Sequence, residues 1–318
     1  MAPSNHILVI GAGELGLQVI KSLAKHPRRD GKLAVLLRPG TIASTNPSKQ
    51  AEVNALREMD VELVPGDIAH DSEQQLASLF AKYNTVVGCA GFVSGAGGVQ
   101  LKLTRAALRA GVPKFIPWQF GVDYDVIGRG STQDLFDEQL DVRDALRAQD
   151  RTRWAIISTG MFTSFLFEAF FGVVDLQTDT VRALGSPENR VTLTTPEDIG
   201  RITAEIVLDD DSFANKPIFI GGDTISYGEL ANLVEKVVQR PIKRTVLSFP
   251  EVKAALAKDP DNNVLKYQGI FSAGRGVAWD LAETWNQKRG IRGRTVEEWA
   301  REHLLEQREE KDSAIQPA

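Results

Sequence analysis

The sequence has very little cysteine and few histidines, and each shortage excludes a class of site. Cys89 is the single cysteine among 318 residues, so no disulfide can form within the chain, which fits a reducing compartment. The four histidines are scattered, at positions His6, His26, His70 and His303. No Cys/His cluster has the spacing of a metal site. The sequence therefore predicts neither disulfide bonds nor a bound metal.

An excess of positive charge and a long uninterrupted apolar run are also absent. The formal net charge is −5, which disfavours general binding to nucleic acid phosphates. Residues 1–6 lack the basic and apolar regions of a secretory signal. Residues 154–174 are the most apolar segment and long enough to span a membrane, but Glu168 and several small polar residues interrupt them. We therefore expect a cytoplasmic protein without nucleic acid or membrane partners.

In the first half of the chain, short apolar runs alternate with segments of helical spacing, with residues 41–50 as a polar loop. The predicted strands are His6–Ile10, Lys32–Leu37, Val61–Val64, Thr85–Cys89, Lys114–Pro117 and Trp154–Ser158. The predicted helices are Glu14–Lys25, Gln50–Met59, Ser72–Lys82, Gln100–Ala110 and Leu135–Ala148. This alternation is typical of βαβ units, so we expect an α/β fold with a doubly wound parallel sheet of the Rossmann type.

The second half is less regular. Thr180–Leu184 and Arg190–Leu193 resemble a strand pair joined by a turn, and Ile218–Ile220 resembles a late strand. Thr195 and Ser226 are expected to cap two helices. The polar residues from about position 307 onward are expected to form a frayed tail.

The strongest local signal is Gly11-Ala-Gly13-Glu-Leu-Gly16, which follows a strand and opens a helix. Gly11 permits a tight turn, Gly13 lets the backbone approach a pyrophosphate, and Gly16 allows close packing of helix on strand. The helix start at Glu14 and Leu15 offers unpaired N–H groups to phosphates. The pattern predicts a dinucleotide cofactor, and the alternative is a similar turn that has lost its nucleotide.

The end of the second strand decides between cofactors. An NAD site usually carries Asp or Glu there to bind the ribose hydroxyls, whereas this chain has Leu37-Arg38-Pro39. A guanidinium at this position can bind a 2′-phosphate with a pair of hydrogen bonds. We therefore predict NADPH as the cofactor, the alternative for Arg38 being a solvated surface residue.

Later strand ends are expected to complete the cofactor site. Asp67 follows strand three, where it either bonds near the adenine or stabilises its own turn. Ala90 and Gly91 follow strand four, and their small size would let the ribose and nicotinamide pass close to the backbone. Cys89 beside them is expected to be a small buried residue rather than a reactive thiol.

Several segments together resemble the NmrA-like family, which includes the isoflavone reductase-like proteins. They are Gly11–Gly16, Arg38-Pro39, the helix from Gln100 to Ala110 with its Gly-Val-Pro113 ending, Lys114-Phe-Ile-Pro-Trp-Gln-Phe-Gly-Val-Asp123, Thr195–Gly200 and Ser226–Leu230. The resemblance covers most of the chain. It implies NADPH and, in the reductase branch, hydride delivery to a small aromatic or polyketide-like molecule.

The resemblance also implies two domains. We predict an NADP(H)-binding Rossmann domain over residues 1–158, with residues 189–224 returning to it. Residues 159–188 and 225–318 are predicted to form a smaller α+β domain that binds the substrate.

The chain departs from the family pattern in two places. Trp118-Gln119 replaces the family's Ser-Glu, and Gln139 stands where the reductase branch has its lysine, in the run Phe136-Asp-Glu-Gln-Leu-Asp-Val-Arg143. An amide cannot act as a general acid, but it can donate a hydrogen bond to a substrate oxygen. The Tyr-x-x-x-Lys motif of short-chain dehydrogenases is absent as well. Gln139 is therefore either part of the active site or an exposed helix residue.

Other residues after strands five and six are candidates for the active site. Tyr124 could supply a proton, as could a water held by Gln139 or the carboxyls of Asp123 and Asp125; for Tyr124 the alternative is a tyrosine packed on the surface. Trp118 and Gln119 are expected beside the nicotinamide. Three apolar residues after strand six either line a substrate pocket or pack in the core: Met161, Phe162 and Phe165.

The sequence thus predicts an NADPH-dependent reductase of a small aromatic carbonyl or enone substrate, acting as a monomer or homodimer. Two other functions remain open. One is a redox-sensing regulator that binds NADP(H) without turnover and contacts another protein. The other is a cyclase or isomerase without redox chemistry on the same fold.

Overall fold

The structure, a computed structural model, describes residues 5–91 and 97–304. The tail predicted from position 307 lies outside the described residues. In chain order, the strands are β1 (Ile7–Ile10), β2 (Leu33–Leu37), β3 (Val61–Pro65), β4 (Thr85–Gly88), β5 (Lys114–Ile116), β6 (Arg153–Ser158), β7 (Met161–Phe162), β8 (Val174–Asp175), β9 (Thr180–Leu184), β10 (Arg190–Thr194), β11 (Lys216–Phe219), β12 (Asp223–Ser226) and β13 (Lys243–Leu247).

The α-helices are α1 (Glu14–Ala24), α2 (Pro39–Ile42), α3 (Pro47–Glu58), α4 (Glu73–Phe80), α5 (Val99–Ala110), α6 (Tyr124–Ile127), α7 (Leu135–Arg147), α8 (Pro196–Val207), α9 (Tyr227–Val238), α10 (Phe249–Leu256) and α11 (Asn263–Ala273). A further helix occupies residues 296–304. Among the described residues, the structure contains no helix that is long and apolar enough to span a bilayer.

The central sheet has the strand order β11-β6-β5-β4-β1-β2-β3. Strand β1 pairs in parallel with both β2 and β4, so that Ile7 lies opposite Leu33 on one side and Thr85 on the other. Because the chain leaves β1 for β2 on one side and later reaches β4 on the other, the strand order reverses between β1 and β4. This arrangement confirms the predicted Rossmann-type fold and brings the carboxyl ends of these strands to one edge.

Burial explains why these segments form strands and helices. All four residues of β1 are buried, as expected for a parallel strand covered on both faces. Helix α1 packs one apolar face inward, formed by Leu15, Val19, Ile20 and Leu23. A cluster that includes Trp154, Phe115 and Phe80 fills the core between the sheet and the helices.

The chain divides into two compact units. Unit 1 comprises Met1–Phe120, Leu135–Ser158 and Ile199–Ile218, and unit 2 comprises Gly121–Asp134, Thr159–Asp198 and Phe219–Ala318. The predicted domains share the boundary after Ser158. Of the predicted returning segment 189–224 only Ile199–Ile218 belongs to unit 1, and unit 2 in addition takes Gly121–Asp134. Backbone hydrogen bonds explain this, because the Thr159 and Gly160 N–H groups both donate to the Gly121 carbonyl oxygen at 2.9 Å. The substrate-binding role of the second unit stays a prediction.

The predicted pairing of Thr180–Leu184 with Arg190–Leu193 is wrong. Strand β9 pairs in parallel with β13 and antiparallel with β8, whereas β10 pairs with β12 and β7. The connection diverges at Gly185, whose N–H donates to the Leu247 carbonyl. The Asn189 side chain then donates to the carbonyls of Leu184 and Ser272. Partners distant in sequence thus replace the expected hairpin.

The helix starts are mostly as predicted, with one exception. Thr195 accepts a hydrogen bond from the Asp198 N–H at 3.2 Å, and Ser226 forms a capping box with Glu229 at the start of α9. The predicted loop 41–50 is instead largely helical. Asn46 caps α3 and Pro47 is its first residue, which is the ordinary start signal for a helix.

The capping box gives a stability prediction. Ser226→Ala should lower the free energy of unfolding by about 1 kcal/mol, because the Glu229 N–H loses its acceptor. Urea denaturation followed by circular dichroism measures the change. Ser78→Ala is the matched control, since Ser78 lies on the exposed face of α4 and its hydroxyl donates to the Gln74 carbonyl, and it should leave stability unchanged. An equal loss in both variants would contradict the role of the cap.

Candidate functional site

A large groove in unit 1 opens where β1, β2 and β3 end, with a volume of about 1250 Å³. That volume is ample for a nucleotide cofactor, since ligand sites commonly measure about 300–1,000 Å³. Six predicted cofactor residues line it together: Gly11, Gly13, Glu14, Arg38 and Asp67, which follow these strands, and Ala90, which follows β4. The groove therefore gathers most of the predicted cofactor site at one place.

The glycine loop forms the floor of the groove by close backbone approach. Gly11 has a φ of +93°, a conformation that side chains rarely adopt, and a Cβ there would lie 3.2 Å from the Cβ of Ala90. A Cβ on Gly16 would collide with the Gly11 carbonyl oxygen, whereas one on Gly13 would meet open space. Gly13 is also the N-cap of α1 and provides no side-chain cap. The loop can therefore present backbone to a pyrophosphate, as the sequence predicts.

Leu15 and Gly16 contribute from behind this surface. Leu15 is buried in the core and Gly16 is buried against the loop. Cys89 also lies close to Gly16, since a Gly16 Cβ would be 3.2 Å from the Cys89 Cβ. Burial raises the pKa of the Cys89 thiol. The cysteine therefore serves as a small packing residue, in agreement with the prediction.

The rim beyond β2 is basic. Arg38 is exposed and is the N-cap of α2, and Thr41 and Lys49 line the same groove. Lys49 pairs with Glu52 through Nζ and Oε2 at 2.8 Å, but both side chains are half exposed. An exposed pair of this kind contributes only about 0.2–1 kcal/mol, so Lys49 can exchange Glu52 for a phosphate.

Thr41 and Lys49 were not predicted as cofactor residues, because residues 41–50 were expected to form a polar loop. The Asn46-Pro47 start signal was the available clue to the helix that carries Lys49. No carboxylate follows β2 directly, since Leu37 is succeeded by Arg38 and Pro39. The residues present therefore fit a nucleotide with a 2′-phosphate better than one with a free 2′-hydroxyl.

Asp67 lines the groove and also organises its own turn. Its Oδ1 accepts hydrogen bonds from the Ala69 and His70 N–H groups, and its Oδ2 lies 3.0 Å from His70 Nδ1. The hydrogen bond from His70 and those from the backbone hold the pKa of the Asp67 carboxyl below its usual range. The turn role considered in the sequence is therefore present, and the contact with adenine stays a prediction.

Gly91 and Trp118 meet beside the end of β4. A Cβ on Gly91 would lie 3.0 Å from Cζ2 of the Trp118 indole, so the partly buried ring packs directly on the glycine. This close contact requires a residue without a side chain at position 91. It places Trp118 next to the Ala90–Gly91 turn, where the sequence predicts the nicotinamide end of the cofactor.

A buried polar cluster connects β5 to α7. Gln119 donates through Nε2 to the Gln139 carbonyl oxygen at 2.8 Å and accepts from Arg143 Nε at 2.9 Å. All three side chains are fully buried. Gln119 thus holds α7 in place. Its amide is hydrogen-bonded within unit 1, and Gln119 is not one of the residues that line the groove.

The Gln139 side chain differs from its neighbours. Its Oε1 and Nε2 are both buried, and neither has a hydrogen-bonding partner among the described residues. This burial contradicts the alternative in which Gln139 is an exposed helix residue. A buried amide without partners costs about 1–3 kcal/mol, so it is a candidate for binding a polar ligand group.

Unit 2 carries the remaining candidates. Tyr124 is only 3 % exposed and opens α6, so it is not the surface tyrosine considered as an alternative. Met161 is buried in β7, and Phe162 is partly buried. The Phe165 ring contacts Phe170 and Phe171, with centroids 5.4 and 4.5 Å apart.

Exposure divides this aromatic group. Phe171 is fully buried, which indicates core packing, while Phe170 is 58 % exposed.

Asp123 caps α6 by accepting a hydrogen bond from the Asp125 N–H. In the part of the chain that the structure describes, no group of His, Cys, Asp and Glu side chains could hold a metal ion.

Known proteins resemble this chain along most of its length. The model of the NmrA-like family matches residues 3–288. An "NmrA-like family domain-containing oxidoreductase" of Gibberella moniliformis is 44 % identical over 301 residues, which cover 94 % of this chain and 98 % of that protein.

Solved structures share the fold at lower sequence identity. An isoflavone reductase superposes with a TM-score of 0.78 at 22 % identity, covering 94 % of this chain and 99 % of that one. The complex of leucoanthocyanidin reductase with NADPH from Vitis vinifera gives 0.78 at 22 % identity, covering 95 % and 100 %.

Two glycines of the loop give opposite predictions. Gly16→Ala should destabilise the protein, because its Cβ must displace the backbone at Gly11; we expect a loss of about 1–3 kcal/mol. Gly13→Ala should leave the melting temperature nearly unchanged, because its Cβ enters open groove, yet it should weaken the binding of a nucleotide. Thermal unfolding with and without nucleotide separates the two effects. A strong loss of stability in Gly13→Ala would contradict this geometry.

Proposed function

The chain belongs to the NmrA-like family, and we propose that it is an NADPH-dependent reductase of a small aromatic or polyketide-like carbonyl or enone compound. The groove with its glycine floor and basic rim carries the proposal. The similar Gibberella protein is named an oxidoreductase, and the plant leucoanthocyanidin reductase was solved with NADPH. The single buried cysteine is consistent with a reducing, cytoplasmic location.

The proposed division of the groove follows from its residues. The backbone of Gly11–Gly16 binds the pyrophosphate, and the N-terminus of α1 adds its positive end. Arg38, Thr41 and Lys49 bind the 2′-phosphate. Glu14 also lines the groove, as an exposed acid in the first turn. Its carboxylate disfavours direct phosphate contact, so we assign phosphate binding at this position to its backbone.

A bound nicotinamide supplies the hydride for a reduction. The protein's own part is to bind, orient and protonate. We assign Ala90, Gly91 and Trp118 to the nicotinamide end, because Trp118 packs on Gly91 and covers it from one side. Gln119 then acts on α7, where it fixes the main chain at Gln139.

We assign Gln139 the role of hydrogen-bond donor to the substrate oxygen. Its Nε2 needs an acceptor, and a carbonyl oxygen that gains negative charge during reduction is a strong one. The amide orients and stabilises without releasing a proton, since it has no useful pKa. The proton itself must come from another group, and we propose Tyr124 among the proton donors considered in the sequence analysis.

The aromatic residues of unit 2 support the proposed substrate class. Phe165 contacts two further rings, and exposed Phe170 adds an apolar surface. We propose that Met161, Phe162 and Phe165 contact the aromatic part of the substrate.

One observation favours a second candidate function. The side chain at position 139 cannot titrate, so a protein that binds NADP(H) without turnover and reports its redox state also fits. A cyclase or isomerase that uses the same fold without redox chemistry would need Gln139 only as an orienting group.

The basic rim predicts cofactor preference. Arg38→Ala and Lys49→Ala should each raise the Kd for NADPH about 10- to 100-fold, because each removes a charge-assisted hydrogen bond of about 1.5–3 kcal/mol. The Kd for NADH should stay unchanged, since it lacks the 2′-phosphate. Isothermal titration calorimetry measures both. Arg244→Ala is the control, because Arg244 is an exposed arginine of unit 2 paired with Glu235. An equal loss of affinity for NADH would contradict the assignment of Arg38 and Lys49 to the 2′-phosphate.

The unpartnered amide predicts a trade between stability and activity. Gln139→Leu should stabilise the protein by about 1 kcal/mol, because it removes a buried amide without partners. It should also lower kcat roughly 100-fold while leaving the Kd for NADPH unchanged, as expected for a lost donor to the reacting oxygen. Unfolding, nucleotide titration and steady-state kinetics measure the three quantities. A less stable Gln139→Leu protein with full turnover would show that the amide has a structural role instead.

A further inference from the structure

The first turn of α5 is bonded to both loops that flank the cofactor groove, although its own side chains are not among the groove lining. Gln100 is 4 % exposed, and its Nε2 donates to the carbonyl oxygens of Ala90 at 2.9 Å and Gly91 at 3.1 Å. Lys102, two residues later, donates through Nζ to the carbonyl oxygens of Ala69 and Asp71, both at 3.0 Å.

The loops held in this way face different parts of the groove. In the Ala90–Gly91 turn, Ala90 packs against Gly11 and Gly91 packs against the Trp118 indole. The Asp67–Asp71 turn contributes Asp67, Ala69 and His70 to the groove wall beyond β3. One helical turn therefore sets the position of two separate stretches of the wall.

Gln100 also sets the direction of a peptide group. The described chain has no cis peptide bonds, so the carbonyl of Ala90 and the N–H of Gly91 point in opposite directions. Because Gln100 turns the Ala90 oxygen toward α5, the Gly91 N–H is directed away from α5. Since glycine is conformationally permissive, this bond restricts the orientation of the peptide group before Gly91.

The helix start itself is anchored to α7. The Glu138 carboxylate accepts hydrogen bonds from the N–H groups of Gly98 at 3.1 Å and Leu101 at 3.0 Å. It thereby satisfies backbone donors that a helix N-terminus otherwise leaves unpaired. Glu138 directly precedes Gln139, so the segment that carries Gln139 is tied to the same turn.

We propose that Gln100, Lys102 and Glu138 form a positioning bracket for the cofactor, with Gln100 serving the nicotinamide half and Lys102 the adenosine half. The proposal rests on the proposed function, because it assumes that NADPH occupies the groove. None of the three side chains contacts the cofactor in this account. They act through the Ala90–Gly91 turn, the Asp67–Asp71 turn and α7.

A fragment of the cofactor tests this division between the nicotinamide half and the adenosine half. The compound 2′,5′-ADP contains the adenosine and 2′-phosphate but no nicotinamide half. Gln100→Leu should raise the Kd for NADPH about tenfold and leave that for 2′,5′-ADP within about twofold, because preorganisation is lost on one side only. Lys102→Met should weaken NADPH and 2′,5′-ADP alike. Isothermal titration calorimetry on the full chain measures all four values.

A matched control separates positioning from general destabilisation. Gln268 is a glutamine of unit 2 that is likewise buried, and its Nε2 donates to the Phe171 carbonyl oxygen at 2.7 Å. Gln268→Leu removes a comparable bond and should lower the melting temperature without changing the Kd for either nucleotide.

The charged variant Gln100→Glu adds a second readout. An ionised carboxylate at this position repels the two carbonyl oxygens, whereas a protonated one can donate to one of them. Its NADPH affinity should therefore rise as the pH falls toward the pKa of the new carboxyl, while the Gln100→Leu profile follows the wild type.

The outcomes distinguish the bracket from the function on which it rests. A wild type that binds neither NADPH nor 2′,5′-ADP overturns the proposed function and the bracket together. A wild type that binds both ligands, with Gln100→Leu weakening the binding of NADPH and 2′,5′-ADP equally or weakening neither, overturns the bracket alone. Separate effects of Gln100→Leu and Lys102→Met support it.

Discussion

The close approach of two strand ends to one helix start is the constraint on which the rest of the structure depends. Gly16 lies against both the Gly11 carbonyl and Cys89, and Gly11 in turn lies against Ala90. These contacts leave no room for side chains, so the floor of the groove must be made of backbone. Because β1 pairs with β2 and β4 in parallel, every neighbouring strand delivers its following loop to this same floor.

A backbone floor binds phosphate but carries little information about which nucleotide is present. The surrounding side chains provide that information. Arg38 and Lys49 form a cationic rim, which favours an additional phosphate, and the α5 bracket proposed above holds the Ala90–Gly91 and Asp67–Asp71 turns from behind. We propose that the glycine loop provides cofactor affinity and the basic rim cofactor choice, and that the partly buried hydrogen bonds of Gln100 and Lys102 position the groove wall.

Local signals predicted the parts of the molecule whose structure is decided locally. The glycine loop follows from its position between a strand and a helix, and the α9 cap follows from Ser226 and Glu229. The pairing of β9 with β13 could not be predicted in this way, because it joins segments about 60 residues apart, through contacts that no local pattern encodes. Gln100 was noted only as the start of a helix, since the carbonyls that it binds become its neighbours only in the folded chain. The burial of Gln139 and Tyr124 was likewise decided by tertiary packing.

The central claim is that this groove serves hydride transfer, and a single-turnover experiment with the wild-type protein tests it most directly. The protein would be mixed with a stoichiometric amount of NADPH and then with aromatic ketones, enones and quinones in turn, while the absorbance of the reduced nicotinamide is followed. The account predicts tight binding of NADPH and its stoichiometric oxidation by at least one aromatic carbonyl or enone, with a reduced product. Tight binding with no oxidation by any member of the panel would contradict the reductase and favour a sensor or a non-redox enzyme.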